Sequence, residues 1–295
     1  MTLAEVGHGL VLIGTGVGSP TQMSVAGVEY ATKSEYRFLE GYTSVLGDTG
    51  QQLLETQVGT IEVLMRGDIE NPQRILELAK DELVSLLVVG DPLQATTHID
   101  LLLRCHDEGI PYEVVHAASV TTLVSGGIGL QNYRFGRQVT LAFPVGDYLP
   151  TSPLEMLCES LYLGNHVLVL FDLDPTGSGD VNPVPMTPEQ AVLTLELMAQ
   201  KLRQDLPPHL DEGEMAADDV RGRLKARAVQ ELLSVPLRQW FGILCSDLGT
   251  IEKRLRRGSL ADISRLQGGE IHCLVIPGEL QGLEAEAVDK LILPA

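Results

Sequence analysis

Basic residues are scarce in this chain of 295 residues: 21 Lys and Arg stand against 40 Asp and Glu, a formal charge of −19. An excess of that size leaves no basic stripe to dominate the field, which argues against a nucleic-acid or anionic-membrane partner. It suits solubility, and it suits a basic surface on a protein partner. Cysteine is sparse as well. Cys105, Cys158, Cys245 and Cys273 are scattered, with no Cys-x-x-Cys pair and no Cys/His cluster, so neither a metal site nor a disulfide framework is expected. No apolar run reaches membrane-spanning length. The first residues carry no basic region, and Leu10 to Ile13 is too short for the core of a signal peptide. These absences point to a cytoplasmic protein with reduced thiols. With 44% hydrophobic and 21% charged residues, no internal repeat and no low-complexity tract, the chain reads as globular, one large or two ordinary domains.

What is present is a series of short apolar strands, each closed by a loop of small or polar residues. Leu83 to Val89 ends at Gly90-Asp91-Pro92, followed by Thr96, Thr97 and His98. Leu10 to Ile13 runs into Gly14-Thr-Gly16-Val-Gly18, which lacks the Gly-x-Gly-x-x-Gly spacing of a dinucleotide loop. Tyr36 to Glu40 leads to Gly41-Tyr42-Thr43-Ser44, and Tyr112 to Val115 leads to His116-Ala-Ala-Ser119-Val120. Ile61 to Leu64 is a further strand, with helices expected from Ser24, over Pro72 to Lys80 and over Thr97 to Glu108. Such β-α alternation predicts a parallel sheet, and parallel sheets place ligands beyond the carboxyl ends of their strands. The strand-end loops are therefore the candidate site, with Gly90 allowing close backbone approach and Asp91 offering a carboxylate.

The character of the chain changes after Val115, which predicts an N-terminal α/β domain over 1–115 and a C-terminal α/β domain over 116–295. In the second, a small-residue helix over Thr121 to Leu130 contains Gly126, Gly127 and Gly129, a pattern that asks for close packing or a nearby ligand. Gln138 to Phe143, His166 to Asp174, Gln239 to Cys245 and Ile271 to Ile276 read as strands, the second of them ending in acids, Asp172 and Asp174. Thr187-Pro-Glu-Gln190 has the form of a helix cap with reciprocal Gln. Gln204 to Asp219 reads as an acidic surface loop, and the basic cluster Ile251 to Arg257 as a solvated helix face.

Together these stretches resemble a known family. Ile13-Gly-Thr-Gly-Val17, Glu40-Gly-Tyr-Thr-Ser44, Gly90-Asp-Pro-Leu-Gln-Ala-Thr-Thr-His98, His116-Ala-Ala-Ser-Val120, Gln131-Asn-Tyr-Arg-Phe-Gly136, Met186-Thr-Pro-Glu189, Ile276-Pro-Gly-Glu-Leu280 and Glu284-Ala-Glu286 occur in the order seen in diphthine synthases. The resemblance implies a tetrapyrrole-methylase-like fold of two α/β domains with the cofactor cleft between them. It implies S-adenosyl-L-methionine as methyl donor, no metal, and a homodimer. The implied substrate is translation elongation factor 2, methylated on the amino group of its 3-amino-3-carboxypropyl-modified histidine. By matching position, the implied cofactor contacts are Val17, Asp91, Gln94, Ser119, Val120, Phe171, Cys245 and His272. At Cys245-Ser-Asp-Leu-Gly249 the chain departs from the family, which shows an Ala-Arg-x-Gly-like sequence there.

Transfer to an amine requires a neutral nitrogen, so a base or a water path is needed. Tyr42, His98 and Asp91 are the candidates on the strand-end rim. His98 also fits a capping or packing role, and His116 reads as structural. A corrin-type tetrapyrrole methyltransferase of the same fold and a cofactor-binding relative without catalysis are the alternative readings.

Overall fold

A computed structural model describes residues 6–176, 182–205 and 219–295. The chain forms two compact α/β units. The first holds residues 6–123 with two returning segments, 182–183 and Leu248–Ile251; the second holds residues 124–176, 184–205, 219–247 and 252–295. The changeover at Leu123 lies eight residues past the boundary expected at 115, so Ser119 and Val120 belong to the first unit.

Strands β1 (Gly9–Gly14), β2 (Tyr36–Glu40), β3 (Glu62–Leu64), β4 (Leu83–Val88) and β5 (Tyr112–Val115) form the first sheet, in the order β3-β2-β4-β1-β5. Every pair is parallel. β1 and β4 are buried along their whole length because both faces are covered, which is why they read as unbroken apolar runs. Leu10 and Leu12 face a core shared with Ile75, Leu76, Leu101 and Leu102 from helices Gln73–Ala79 and Ile99–Glu108. Val11 and Ile13 face the opposite core, with Ala31 and Leu54 from helices Val25–Lys33 and Gly47–Val58. The helix from Ser24 starts as expected: the Ser24 hydroxyl accepts from the Gly27 amide at 3.0 Å.

The second sheet is mixed. β6 (Val139–Leu141), β7 (Val167–Phe171), β8 (Phe241–Ser246), β9 (Arg254–Ser259), β10 (His272–Ile276) and β11 (Leu293–Pro294) lie in the order β11-β9-β8-β10-β7-β6. Its core joins Leu141, Phe171, Leu244 and Leu274 to Leu154 of helix Ser152–Tyr162 and Leu195 of helix Pro188–Asp205. The cap at Thr187 forms as its sequence asks: Gln190 N–H donates to the Thr187 hydroxyl at 3.3 Å, and Thr187 N–H donates to Gln190 Oε1 at 2.9 Å.

Two expectations change here. The basic stretch 251–257 is no helix face: Arg254 to Ser259 form β9, paired antiparallel with β8 from Ser246 to Phe241. Sheet closure overrides the helix preference of arginine, and Arg257 spends its guanidinium on the Ile292 and Asp289 carbonyls and the Asp289 carboxylate. The small-residue helix stops at Gly127, and Gly129 lies beyond it at φ +75. A Cβ on Gly129 would stand 2.5 Å from the Ala287 Cβ, so close packing on helix Leu283–Leu291 explains that glycine. The acidic loop expected over 204–219 falls outside the described residues except at its ends, where Asp205 finishes one helix and Asp219 caps the next, Val220–Leu232.

Candidate active site

All five strands of the first sheet point the same way, so the loops after β1, β2, β4 and β5 share one edge. β1 lies between β4 and β5, and three loops meet over its end. Gly16 and Gly90 exchange backbone hydrogen bonds of 3.2 and 2.8 Å, with φ of +77 and +85 that only glycine adopts without strain. A Cβ on Gly14 would stand 2.6 Å from the Gly90 carbonyl oxygen and 2.7 Å from the Ala117 Cβ. Bare backbone at these positions lets the loops after β4 and β5 close over the end of β1.

Asp91 is the tie. Its Oδ1 accepts from the Leu93 amide at 3.0 Å, and its Oδ2 accepts from the Ala117 amide at 3.2 Å and lies 2.8 Å from His116 Nδ1. The carboxylate is buried, whereas the His116 side chain is 64% exposed. The sequence points Asp91 at a ligand; in the structure Oδ1 holds the turn after β4 and Oδ2 the loop after β5. Ser119, also buried, stands beside Gly90, where a Cβ would meet nothing nearer than the Ser119 Cα at 3.9 Å. The Ser119 hydroxyl accepts from the Thr121 amide at 3.3 Å, and Val120 opens helix Val120–Gly127. Gln94 is exposed, 3.4 Å from the Thr121 hydroxyl. Thus Asp91, Gln94, Ser119 and Val120 share one patch of the rim. Val17 sits on the β1 loop and turns its carbonyl onto Gly249, where any side chain would collide with it, and Gln22 Nε2 donates to the Gly249 carbonyl at 2.8 Å.

The sequence-based candidates for the base fare unevenly. Burial, then the neighbouring Glu40, pushes the Tyr42 phenol up to about 12, so it stays protonated at neutral pH. His98 is buried; its Nδ1 lies 3.1 Å from the Pro92 carbonyl, which can only accept, so Nδ1 carries the proton. The remaining nitrogen, Nε2, is enclosed without a hydrogen-bond partner, and burial lowers the affinity of the ring for a second proton. That is the packing role, and the ring braces the Pro92 turn. Glu40, which the sequence reading passed over, is fully buried at the end of β2. The Thr43 amide (2.9 Å) and hydroxyl (2.6 Å) donate to its two oxygens. Burial outweighs those bonds and raises its carboxyl to about 7. A charged residue closing an apolar strand was the available signal.

In the second unit, Phe171 is a core side chain at the end of β7. Asp172, next to it, spends its oxygens on the amides of Phe143, Leu173 and Asp174. Cys245 lies directly across from Cys273 on the neighbouring strand, and that thiol contact together with burial keeps Cys245 protonated. His272 Nδ1 is 2.8 Å from the Ser246 hydroxyl, both groups buried, and burial lowers the proton affinity of the ring. Asp247, at φ +51, accepts from the Glu270 and Ile271 amides at 2.8 and 3.1 Å. Among the described residues no group of three or more His, Cys, Asp or Glu is placed to hold a metal ion, and no helix is long and apolar enough to cross a membrane.

A parallel sheet with a glycine-lined carboxyl edge is the place where α/β proteins take up small-molecule ligands. The family described as Tetrapyrrole (Corrin/Porphyrin) Methylases matches residues 9–211. A diphthine synthase of Methanoregula boonei is 32% identical over 279 residues, 94% of this chain and 96% of that one. The diphthine synthase of Methanocaldococcus jannaschii is 31% identical over 285 residues, covering 96% and 98%. In Saccharomyces cerevisiae, a diphthine methyl ester synthase is 30% identical over 280 residues, 91% of this chain and 84% of that one. A crystal structure of diphthine synthase superposes with a TM-score of 0.75 at 24% identity over 97% and 96% of the two chains, a likeness of fold. The chain belongs to the tetrapyrrole methylase family and, within it, to the diphthine synthases, which are methyltransferases.

Proposed function

We propose that this chain transfers methyl groups from S-adenosyl-L-methionine to the amino nitrogen of the 3-amino-3-carboxypropyl side chain built on a histidine of translation elongation factor 2. The observation that carries the reading is the match to diphthine synthases along nearly the full length of both chains. The protein works in the cytoplasm as a homodimer, on a protein acceptor whose surface complements a charge of −19.

On the first unit's edge the cofactor is held by Val17, Gln94, Ser119 and Val120, with Asp91 tying the loops beneath them. The first-unit edge suits it. Gly90 presents bare backbone beside the buried Ser119, with space where a side chain would stand. When bound, S-adenosyl-L-methionine supplies a methyl carbon already activated by its sulfonium leaving group. What remains for the protein is to orient that carbon and the nitrogen in line, to exclude water, and to take up the amine's proton. Asp91 serves by fixing the loop after β5 and so placing Ser119 and Val120.

The test is acceptor choice. Methyl-labelled S-adenosyl-L-methionine is offered together with elongation factor 2 carrying the unmethylated side chain, or with a corrin precursor. Label on the elongation factor is the expected result. Label on the tetrapyrrole alone would replace this reading with the other branch of the family. Tight cofactor binding with label on neither would make the chain a binding protein.

A further inference from the structure

Resting on that reading, we infer that His116 is the group that accepts the amine's proton, through its Nε2 atom, with Asp91 orienting the ring. The reaction needs such a group. An ammonium nitrogen has no lone pair to offer, so one proton must leave before each transfer. The nitrogen lone pair then forms the N–CH3 bond while the S–CH3 bond breaks and its electron pair leaves with sulfur. Every transfer after the first begins from the protonated product of the one before.

Among the described ionisable groups of the rim, His116 alone combines a free lone pair with a route to solvent. Tyr42 holds its proton too tightly. Glu40 is fully buried with both oxygens engaged by Thr43. His98 is 1% exposed and its free nitrogen is enclosed. The Asp91 carboxylate already serves the Leu93 amide, the Ala117 amide and His116.

The tautomer of His116 follows from the same bonds. Asp91 Oδ2 accepts the Ala117 amide proton at 3.2 Å and is therefore an acceptor toward the ring, so the hydrogen of His116 lies on Nδ1, 2.8 Å away. A neutral ring then carries its lone pair on Nε2, and the 64% exposure of the side chain leaves that atom open to an incoming amine and to water. When Nε2 takes the proton, the positive charge forms beside the buried Asp91 carboxylate. Water removes it afterwards and resets the ring. A buried carboxylate that fixes one imidazole nitrogen and leaves the other as a base is a recurrent arrangement for proton transfer. Its geometry is invisible in the sequence, where the two residues stand 25 positions apart.

The test combines a readout on the free protein with one on transfer. Nitrogen-15 shifts of the His116 ring should show the proton on Nδ1, and should lose that signature in D91N, whose amide can offer a proton in place of a lone pair. A ring protonated on Nε2 in the wild type would overturn the inference. In single turnover on elongation factor 2, H116N keeps a donor for Asp91 but supplies no base. It should bind S-adenosyl-L-methionine within about twofold of wild type while transferring about 10²-fold more slowly. In H116A, added imidazoles should restore transfer in step with their basicity, and the weakly basic isostere pyrazole should not. An H116N that keeps pace with wild type, or an H116A rescued equally by pyrazole, would leave His116 a structural residue. Wild-type protein that methylates nothing on elongation factor 2 would instead remove the functional reading itself.

Discussion

Glu284 offers a test of how the second unit is held together. It is 2% exposed, yet its carboxylate gathers three donors from distant parts of the chain. The Gln131 amide donates at 2.9 Å, His166 Nε2 lies at 3.2 Å, and Arg134 forms an ion pair with the other oxygen. His166 is itself fixed from behind, because the Gly278 amide donates to its Nδ1 at 3.0 Å; the ring must therefore carry its proton on Nε2 and give it to Glu284. Three sequence motifs that no site absorbs, 131–136, 276–280 and 284–286, are thus one network. Removing the carboxylate in Glu284→Ala leaves the buried His166 ring N–H without an acceptor, at about 1–3 kcal/mol, and the partly buried Gln131 amide at the low end of that range. It also strands the Arg134 guanidinium, partly offset because that side chain is 23% exposed and can reach water. The total is about 3–5 kcal/mol, the range for breaking a buried pair from one side. At about 2–4 °C per kcal/mol for a domain of this size, the second unit should melt roughly 6–20 °C lower. The assay is urea and thermal unfolding, with the exposed pair Lys290–Glu286 as control, where Glu286→Ala should cost no more than about 0.5 kcal/mol. Burial alone would raise the Glu284 carboxyl, but Gln131, His166 and Arg134 hold it below its usual value, while burial lowers His166. Both shifts have the same consequence. The unfolded chain takes up protons first, so stability is full above the unfolded histidine value near 6.5 and falls as pH drops through the unfolded carboxylate range and below. A Glu284→Ala protein within 0.5 kcal/mol of wild type, with an unchanged acid slope, would refute the network as a support (a threshold of about the size of a surface substitution).

Glu40 should show the opposite slope. With its carboxyl raised to about 7 in the fold, stability should increase by about 3 kcal/mol as pH falls from about 7 to the unfolded value near 4.5, and Glu40→Gln should flatten that rise and be the more stable protein at pH 8. Denaturant titrations of both proteins across that window check the sign. Gly129 and Gly126 should part company. Gly129→Val meets Ala287 and a strained φ and should cost about 2 kcal/mol or more, whereas Gly126→Ala, inside a helix with nothing within 4 Å, should be neutral or gain up to about 1 kcal/mol. Circular-dichroism melts of the pair decide whether the glycines of that segment serve packing or a ligand.

Much of the architecture was legible because burial on both faces writes itself as a short apolar run with a Gly or Pro stop. β1, β4 and β10 are placed within a residue or two on that signal alone, while β7 ends at Phe171, three residues short of the expected Asp174. β9 was not, because its residues, Arg-Leu-Arg-Arg-Gly-Ser, belong to the sheet through pairing with β8 rather than through their own side chains. Helix Gly47–Val58 went unread since Gly-Asp-Thr-Gly-Gln-Gln carries little apolar periodicity; Leu54 and Val58 are its described residues in the core. In the site, glycines and small residues at strand ends marked Gly90, Asp91 and Ser119 correctly as neighbours of the carboxyl edge. What spacing could not convey is that β4 and β5 flank β1. That strand order is what sets Asp91 against His116, and what turns a histidine read as structural into the open imidazole of the rim.

The most direct measurement of the central claim is mass spectrometry of elongation factor 2 bearing the unmethylated side chain, after incubation with this protein and S-adenosyl-L-methionine. The account predicts mass added in steps of one methyl group, located by fragmentation on the amino nitrogen of the modified histidine and lost when Asp91→Ala opens the tie between the loops. An unchanged acceptor mass with cofactor binding intact, or methyl groups located on any other residue, would contradict it.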